Sequence, residues 1–294
     1  MSDSAEEPFP PHGVDLTHPS PARIYDYLLG GTSNWEIDRR FADRMVADYP
    51  VVKPIAKANR MFLHRAVRHL VKRGVRQFVD IGSGLPTMGH AHEVADELAP
   101  GQVKVVYVDH EPIAVAHSRS LLREHGDEDR HTVIHADLRD PDRLWDTIAD
   151  TGVVDLDQPL ALLLIAVLHF RQPPARPGPD GEDLGPDIVA RYRDLLSPGS
   201  YLAISHATDH NVPGTHVEML ADLKTLYGDS SNPLIWRTHQ EVTDLFGAFT
   251  LVPPGVTWTP RWHPEEATRH DDTTTRFADP SESVVLAGVA RKTP

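Results

Sequence analysis

The sequence predicts an α/β protein of the Rossmann-like class: a mostly parallel sheet of about seven strands with an antiparallel edge, preceded by a cap of helices. Three observations predict it. From residue 77 onward, short apolar runs alternate with amphipathic stretches, the pattern of βαβ units with right-handed crossovers. The first run, Phe78-Val79-Asp80-Ile81, leads directly into Gly82-Ser83-Gly84, a turn that brings backbone close to a ligand. The following strand candidates also end next to acids, Asp109 and Asp137, at the sheet edge where such folds bind ligands.

The elements follow in order. Residues 1–18 read as a flexible arm, with an acidic, proline-rich start. Ser20-Pro21 supplies an N-cap and a first-turn proline for a helix over 22–29, closed by Gly30-Gly31. Helices are expected over 36–48 and 53–73. In the latter, Ile55, Ala58, Phe62, Ala66 and Leu70 recur at helical spacing. Residues 19–75 thus form a helical cap and 76–294 the main α/β domain. Strands are predicted over 77–81, 103–108, 132–135, 160–165 and 201–205, with helices over 89–98, 112–124, 141–150 and 187–196 between them. Helices over 217–227 and 240–245 follow, then strands over 250–252 and 284–290 that can pair antiparallel. The proline- and glycine-rich stretch 172–186 reads as a linker loop, with a lid over the site as the alternative.

Bulk properties narrow the function. The 294 residues suffice for a large core, and 24% charged with 40% hydrophobic residues fits a globular chain. A net charge of −14 opposes general nucleic-acid binding. The absence of cysteine removes disulfides and thiolate metal sites. No signal peptide or membrane span is visible, so a cytoplasmic protein with neither nucleic-acid nor membrane partners is expected.

The polarity of the strand ends selects the ligand. Asp80 stands where a pyrophosphate would meet like charge, and the third glycine of a dinucleotide fingerprint is replaced by Thr87. A nucleoside carrying a cationic amino-acid tail suits this edge, which points to S-adenosylmethionine. Asp109 lies 25 residues after Gly84, placed to accept from a ribose diol, and it also suits a helix N-cap. Asp137 can accept from an adenine amine, or cap the helix at 141.

These segments resemble the class I S-adenosylmethionine-dependent methyltransferases. More closely, they resemble a bacterial family of S-adenosyl methyltransferases whose acceptors are unassigned. The resemblance runs from Pro19 to the C-terminus. It is carried by Pro21-Ala22-Arg23-Ile24-Tyr25-Asp26-Tyr27-Leu28-Leu29-Gly30-Gly31, Ala58-Asn59-Arg60, the stretch 78–87, Val106 to Asp109, Ala136 to Leu138, Val167 to Phe170 and Ser197-Pro198-Gly199. It implies that Gly82 and Gly84 line the methionine part, Asp109 holds the ribose and Asp137 meets the adenine. Asp80, Ser83, His110, Leu138 and Ala166 complete the expected cofactor set, and Arg60 is placed to pair with the cofactor carboxylate. The implied activity is methyl transfer to an unidentified small molecule; a non-catalytic S-adenosylmethionine sensor or accessory protein is the alternative.

His169, just past the fourth strand, is the candidate general base, with a pocket-wall histidine as the plain alternative. His206 is a weaker candidate. Tyr25, Tyr27, Trp258 and Trp262 are candidates for acceptor contact, the last two forming a cluster with Arg261. The basic residues of 53–73 read as a solvated face. His90 and His92, two apart on an expected helix, point to different faces, and no metal is expected.

Overall fold

β1 (Gln77–Ile81) is a central strand. It pairs in parallel with β2 (Lys104–Asp109) on one side and β4 (Ala161–Ile165) on the other. Beyond them lie β3 (His131–His135) and β5 (Tyr201–Ala207), giving a parallel block ordered β3-β2-β1-β4-β5. The order reverses between β1 and β4, which opens a crevice at the carboxyl ends of these strands. The computed structural model describes residues 14–85, 87–125, 127–174, 183–228 and 233–293.

The antiparallel edge is built by β8 (Val285–Arg291), which pairs with β5 along seven residues. Two short strands, β6 (Thr250–Leu251) and β7 (Thr257–Trp258), pair with β8. The pairing expected between 250–252 and 284–290 is therefore present. β7 adds a short eighth strand that two-residue periodicity is too brief to reveal.

β1, β2, β4 and β5 are buried on both faces, because helices cover each side. One face packs Phe78, Val105 and Leu163 against α3 (Val52–Lys72), α4 (Ala91–Asp96) and α5 (Pro112–His125). The other packs Val79, Val106 and Leu162 against α6 (Pro141–Asp150), α7 (Gly185–Leu195) and α9 (His239–Asp244). The helix expected over 53–73 thus belongs to the same core as the sheet, through Phe62, Leu63, Ala66 and Leu70. Its basic residues form the expected solvated face only in part: Lys53, Lys72 and Arg73 are exposed, whereas Arg60 and Arg65 are buried. Arg65 is fully buried and pairs with Asp271, while Lys57 and Lys72 pair with Asp272 and Glu266. The segment around α10 (Thr273–Arg276) covers that face, a tertiary contact that helix periodicity cannot foresee.

A third apolar cluster stands above the crevice. α1 (Pro21–Leu28), α2 (Glu36–Asp48) and α8 (Gly214–Gly228) contribute Ile24, Met45, Met219, Leu220 and Tyr227, packed against Val284 and Val285. Ser20 occupies the N-cap of α1, but its hydroxyl donates to Glu111 Oε2 at 2.9 Å instead of capping the helix. Arg23, fully buried, donates to Asp38 Oδ2 at 2.8 Å and reaches Glu111 Oε1 at 3.4 Å. These bonds tie the cap to the loop after β2. Gly31 packs so closely on Asp26 that an added Cβ would lie 1.9 Å from its Oδ1. Asp26 in turn accepts from Ser33 N and Asn34 Nδ2. The Asp26…Gly31 pair therefore fixes the turn out of α1. Most of the proposed lid, 175–182, lies outside the described residues, as does 1–13 of the N-terminal arm.

Candidate active site

A single cavity of about 580 Å³ opens at the carboxyl edge of the parallel strands and extends beneath the helical cap. Its two ends differ in chemistry. One is lined by strand-end residues, including Asp80, Gly82, Gly84, Asp109 and Asp137; the other is lined by apolar side chains of the cap.

Gly82 (φ 72°) and Gly84 (φ 64°) both take left-handed backbone, which L side chains resist. At Gly82 a Cβ would also press within 2.8 Å of Val167 Cγ2. At Gly84 a Cβ would meet nothing within 4 Å, so its absence leaves open space beside the strand end. Gly84 N donates to Asp109 Oδ2 at 2.7 Å, and Glu111 N donates to Oδ1 at 2.9 Å. Asp109 therefore braces the glycine turn and the start of α5 together. The capping alternative is present, and each oxygen retains a second lone pair that can accept from a ligand.

Asp80 is buried and lines the cavity, and its carboxyl accepts no hydrogen bond among the described residues. Burial pushes its carboxyl up to about 7; Arg60 opposes that rise and Asp109 adds to it. A buried carboxyl left without a partner is costly, and a ligand cation resolves the cost. Arg60 donates to Gly89 O while its Nε lacks a partner. Buried, complementary and incompletely satisfied, the pair fits the ammonium and carboxylate of an amino-acid tail.

Asp137 is half-exposed and clasped by Arg139 Nε at 2.9 and 3.0 Å. Burial raises its pKa, but the Arg139 hydrogen bonds outweigh that and hold it below the ordinary aspartate range. Arg139 lines the cavity too, and the sequence reading missed it because a cation two residues past an acid is a common turn feature. Ser83, His110, Leu138 and Ala166 all line the cavity. Ala166 sits in left-handed backbone (φ 57°), a strained conformation for a residue with a Cβ. Its N–H donates to Ser205 Oγ at 2.9 Å, Ser205 donates to Asn59 Oδ1 at 2.6 Å, and Asn59 Nδ2 donates to Tyr25 Oη at 3.0 Å. This relay from α1 through α3 to β5 holds the turn after β4. It gives Asn59 and Tyr25 positioning roles invisible in their local sequence.

His169 also lines the cavity, and its Nδ1 has no partner. Burial and then the Arg237 charge lower its pKa to about 4, so the ring is neutral at pH 7. His206 packs behind it at 6.0 Å between ring centroids, bonded to Leu168 O and Arg237. It does not line the cavity.

Three acceptor candidates lie elsewhere. Trp262 is fully buried against Phe62 and His69 on one face of the sheet. Trp258 packs into the core on the opposite face, and Tyr27 bonds Asp43 outside the cavity. Their sequence proximity to Arg261 or to the glycine pair suggested a pocket; the β7–β8 pairing and the facing of α1 turn them away. The aromatic residues lining the cavity are instead Tyr25, Phe170, Tyr227 and Trp236. His90 is the residue before α4 and stacks on His92 at 5.1 Å, so the two do not point to different faces.

Comparison with known proteins identifies the family. The S-adenosyl methyltransferase family profile matches residues 8–293. A Thermobifida fusca structure assigned to the methyltransferases is 36% identical, with a TM-score of 0.80, covering 97% of this chain and 99% of that one. A DUF574-family protein from Streptomyces avermitilis is 34% identical, with a TM-score of 0.81 and coverage of 95% and 99%. An O-methyltransferase family protein from Burkholderia thailandensis, 14% identical with a TM-score of 0.50, shares the fold over 90% of this chain and 66% of its own. No protein of curated function matches. With its length spanned by that profile and its fold shared with those structures, the chain belongs to the S-adenosyl methyltransferase family and is an S-adenosylmethionine-dependent methyltransferase.

Proposed function

We propose that the cavity seats the cofactor at its acidic end and a small, uncharged, largely apolar acceptor at its other end. The observation that carries this reading is the division of one cavity into two chemistries. Every carboxylate among the described lining residues belongs to Asp15, Asp80, Asp109, Glu111 or Asp137, none of which lies in the cap cluster of α2 and α8. The apolar end is walled by Met45, Leu220, Leu223, Tyr227, Leu234 and Trp236. A cationic acceptor would be desolvated there without a counter-charge, which is strongly unfavourable.

In this reading Asp80 takes the cofactor ammonium, Arg60 its carboxylate, Asp109 the ribose diol, and Asp137 with Leu138 the adenine. Gly82, Ser83, Gly84, His110 and Ala166 shape the backbone around it. S-adenosylmethionine supplies a methyl group on a sulfonium, an electrophile with a good leaving group. The protein's task is then to hold an acceptor in line with that methyl and to exclude water. Alignment of this kind supplies about 7–11 kcal/mol of barrier reduction. His169 lines the cavity and is neutral at pH 7, so one ring nitrogen can accept a hydrogen bond from an acceptor O–H or N–H. With a pKa near 4 it is a weak base, so orientation outweighs proton removal.

The test has two arms. Calorimetry measures S-adenosylmethionine binding to the parent and to Leu223→Glu, which places a charge in the apolar end; equal affinity is expected. Metabolite extracts incubated with each protein are then searched for a mass gain of one methylene. Parent activity on an apolar compound, lost in Leu223→Glu, supports the reading; activity only on charged or macromolecular acceptors defeats it.

A further inference from the structure

Away from the cavity, three imidazoles stack between α4 and the start of β3. His92 lies between His90, at 5.1 Å between ring centroids, and His131, at 4.5 Å. All three are buried, and in each the Nε2 atom lacks a hydrogen-bond partner. Buried polar atoms are nearly always paired, so the orphaned Nε2 of His92, at the centre of the stack, calls for a partner. Next to His92 stand His125, exposed at the end of α5, and Asp127 in the turn that follows; one ligand atom from each of the three residues lies within 4.8 Å of the others.

The geometry points to a divalent transition-metal site made by His92, His125 and Asp127, of the kind that takes zinc. On His92 the nitrogen left for a ligand is Nε2, because Nδ1 is hydrogen-bonded to Tyr107 Oη at 2.7 Å. That bond fixes the ring orientation as an outer partner of a metal-bound histidine does. Tyr107 is itself held by the backbone N–H of His92, which donates to the same oxygen at 3.0 Å. Asp127 uses Oδ1 for Arg130 at 2.7 Å, which leaves Oδ2 for a cation. Arg130 is shared with Asp96, so its charge is offset before it reaches the site. Two imidazoles and a carboxylate form a borderline nitrogen–oxygen set suited to zinc, with water as a fourth ligand.

Ligand atoms around tetrahedral zinc sit about 3.3 Å apart, for metal–ligand bonds of about 2.0–2.1 Å. Closing from up to 4.8 Å requires rotamer changes only in His125 and Asp127, neither of which is buried. The site would tie α4, which follows the glycine turn of the cofactor cleft, to the junction of α5 and β3. It departs from the sequence expectation of no metal and stands independently of the proposed acceptor.

The experiment is titration of the full-length, chelator-treated protein with Zn²⁺ by calorimetry, and with Co²⁺ by visible absorption. One tight site per chain with a tetrahedral Co²⁺ spectrum is expected. His125→Ala and Asp127→Asn, at positions that are not buried, should each weaken Zn²⁺ at least tenfold, while the exposed His210→Ala control changes nothing. Far-ultraviolet circular dichroism and S-adenosylmethionine affinity should match the parent in both variants. Zn²⁺ affinity equal in parent, His125→Ala and Asp127→Asn would overturn the assignment, as would an octahedral Co²⁺ spectrum.

Discussion

Replacing Asp80 by Asn separates the cost of the binding site from its use. In the ligand-free protein burial raises the Asp80 carboxyl from 3.8 to about 7, a difference worth about 4 kcal/mol. The sign follows from linkage. The folded state holds this proton more tightly than the unfolded state, so stability is greatest below pH 3.8. It is lost progressively as pH rises towards 7, and the penalty is complete above that. Asp80→Asn removes the charge and raises stability above pH 7, with about 4 kcal/mol as the upper limit, because the buried amide has its own unmet hydrogen bonds. Binding moves the other way. Losing a charge-assisted bond to the cofactor ammonium costs about 1.5–3 kcal/mol, roughly 10- to 150-fold in affinity. If Asp80 takes the ammonium as proposed, binding to the parent requires the ionised carboxyl. Its fraction changes about eightfold between pH 6 and 7.5 for a pKa near 7, and affinity should weaken by that factor on acidification. Calorimetry of S-adenosylmethionine binding at both pH values, with thermal unfolding at pH 8, checks all three. A pH-independent parent affinity, or an Asn variant that binds as tightly as the parent, would refute the ammonium assignment.

Other expectations follow from the same geometry. Asp109→Ala removes the brace on Gly84 N and Glu111 N as well as the proposed ribose contact, so cofactor affinity should fall at least 100-fold by calorimetry, with circular dichroism near that of the parent. Arg23→Ala leaves Asp38 buried without its guanidinium and should cost about 3–5 kcal/mol of stability in urea unfolding. Asn59→Ala breaks the relay that supports Ala166, and should lower turnover on an identified acceptor more than cofactor affinity; a purely thermal effect with unchanged turnover would remove its positioning role. His169→Ala should slow methyl transfer only modestly, by about 10- to 100-fold, because a base with a pKa near 4 contributes little beyond hydrogen bonding.

The sequence alone determined the order of the elements and which strand ends line the cavity. Parallel strands covered by helices on both faces must be continuous apolar runs, so β1, β2, β4 and β5 are legible locally. Gly82 and Gly84 and the acids at 80, 109 and 137 follow from the fold's own edge, and all of them line the cavity. Tertiary structure decided the rest. Which aromatic residues face the cavity depends on how the cap and α8 approach the sheet, so Trp236 and Tyr227 line it while Trp258 and Trp262 lie in the core. Arg65 was indistinguishable from its surface neighbours until the segment around Asp271 closed over it. Asn59, Ser205 and Ala166 are far apart in the chain and act as one relay only after α3 packs beside β5. Short-range periodicity records the burial of a face; it carries no record of which distant segment does the burying, and that choice sets the chemistry of both the acceptor end and the histidine stack.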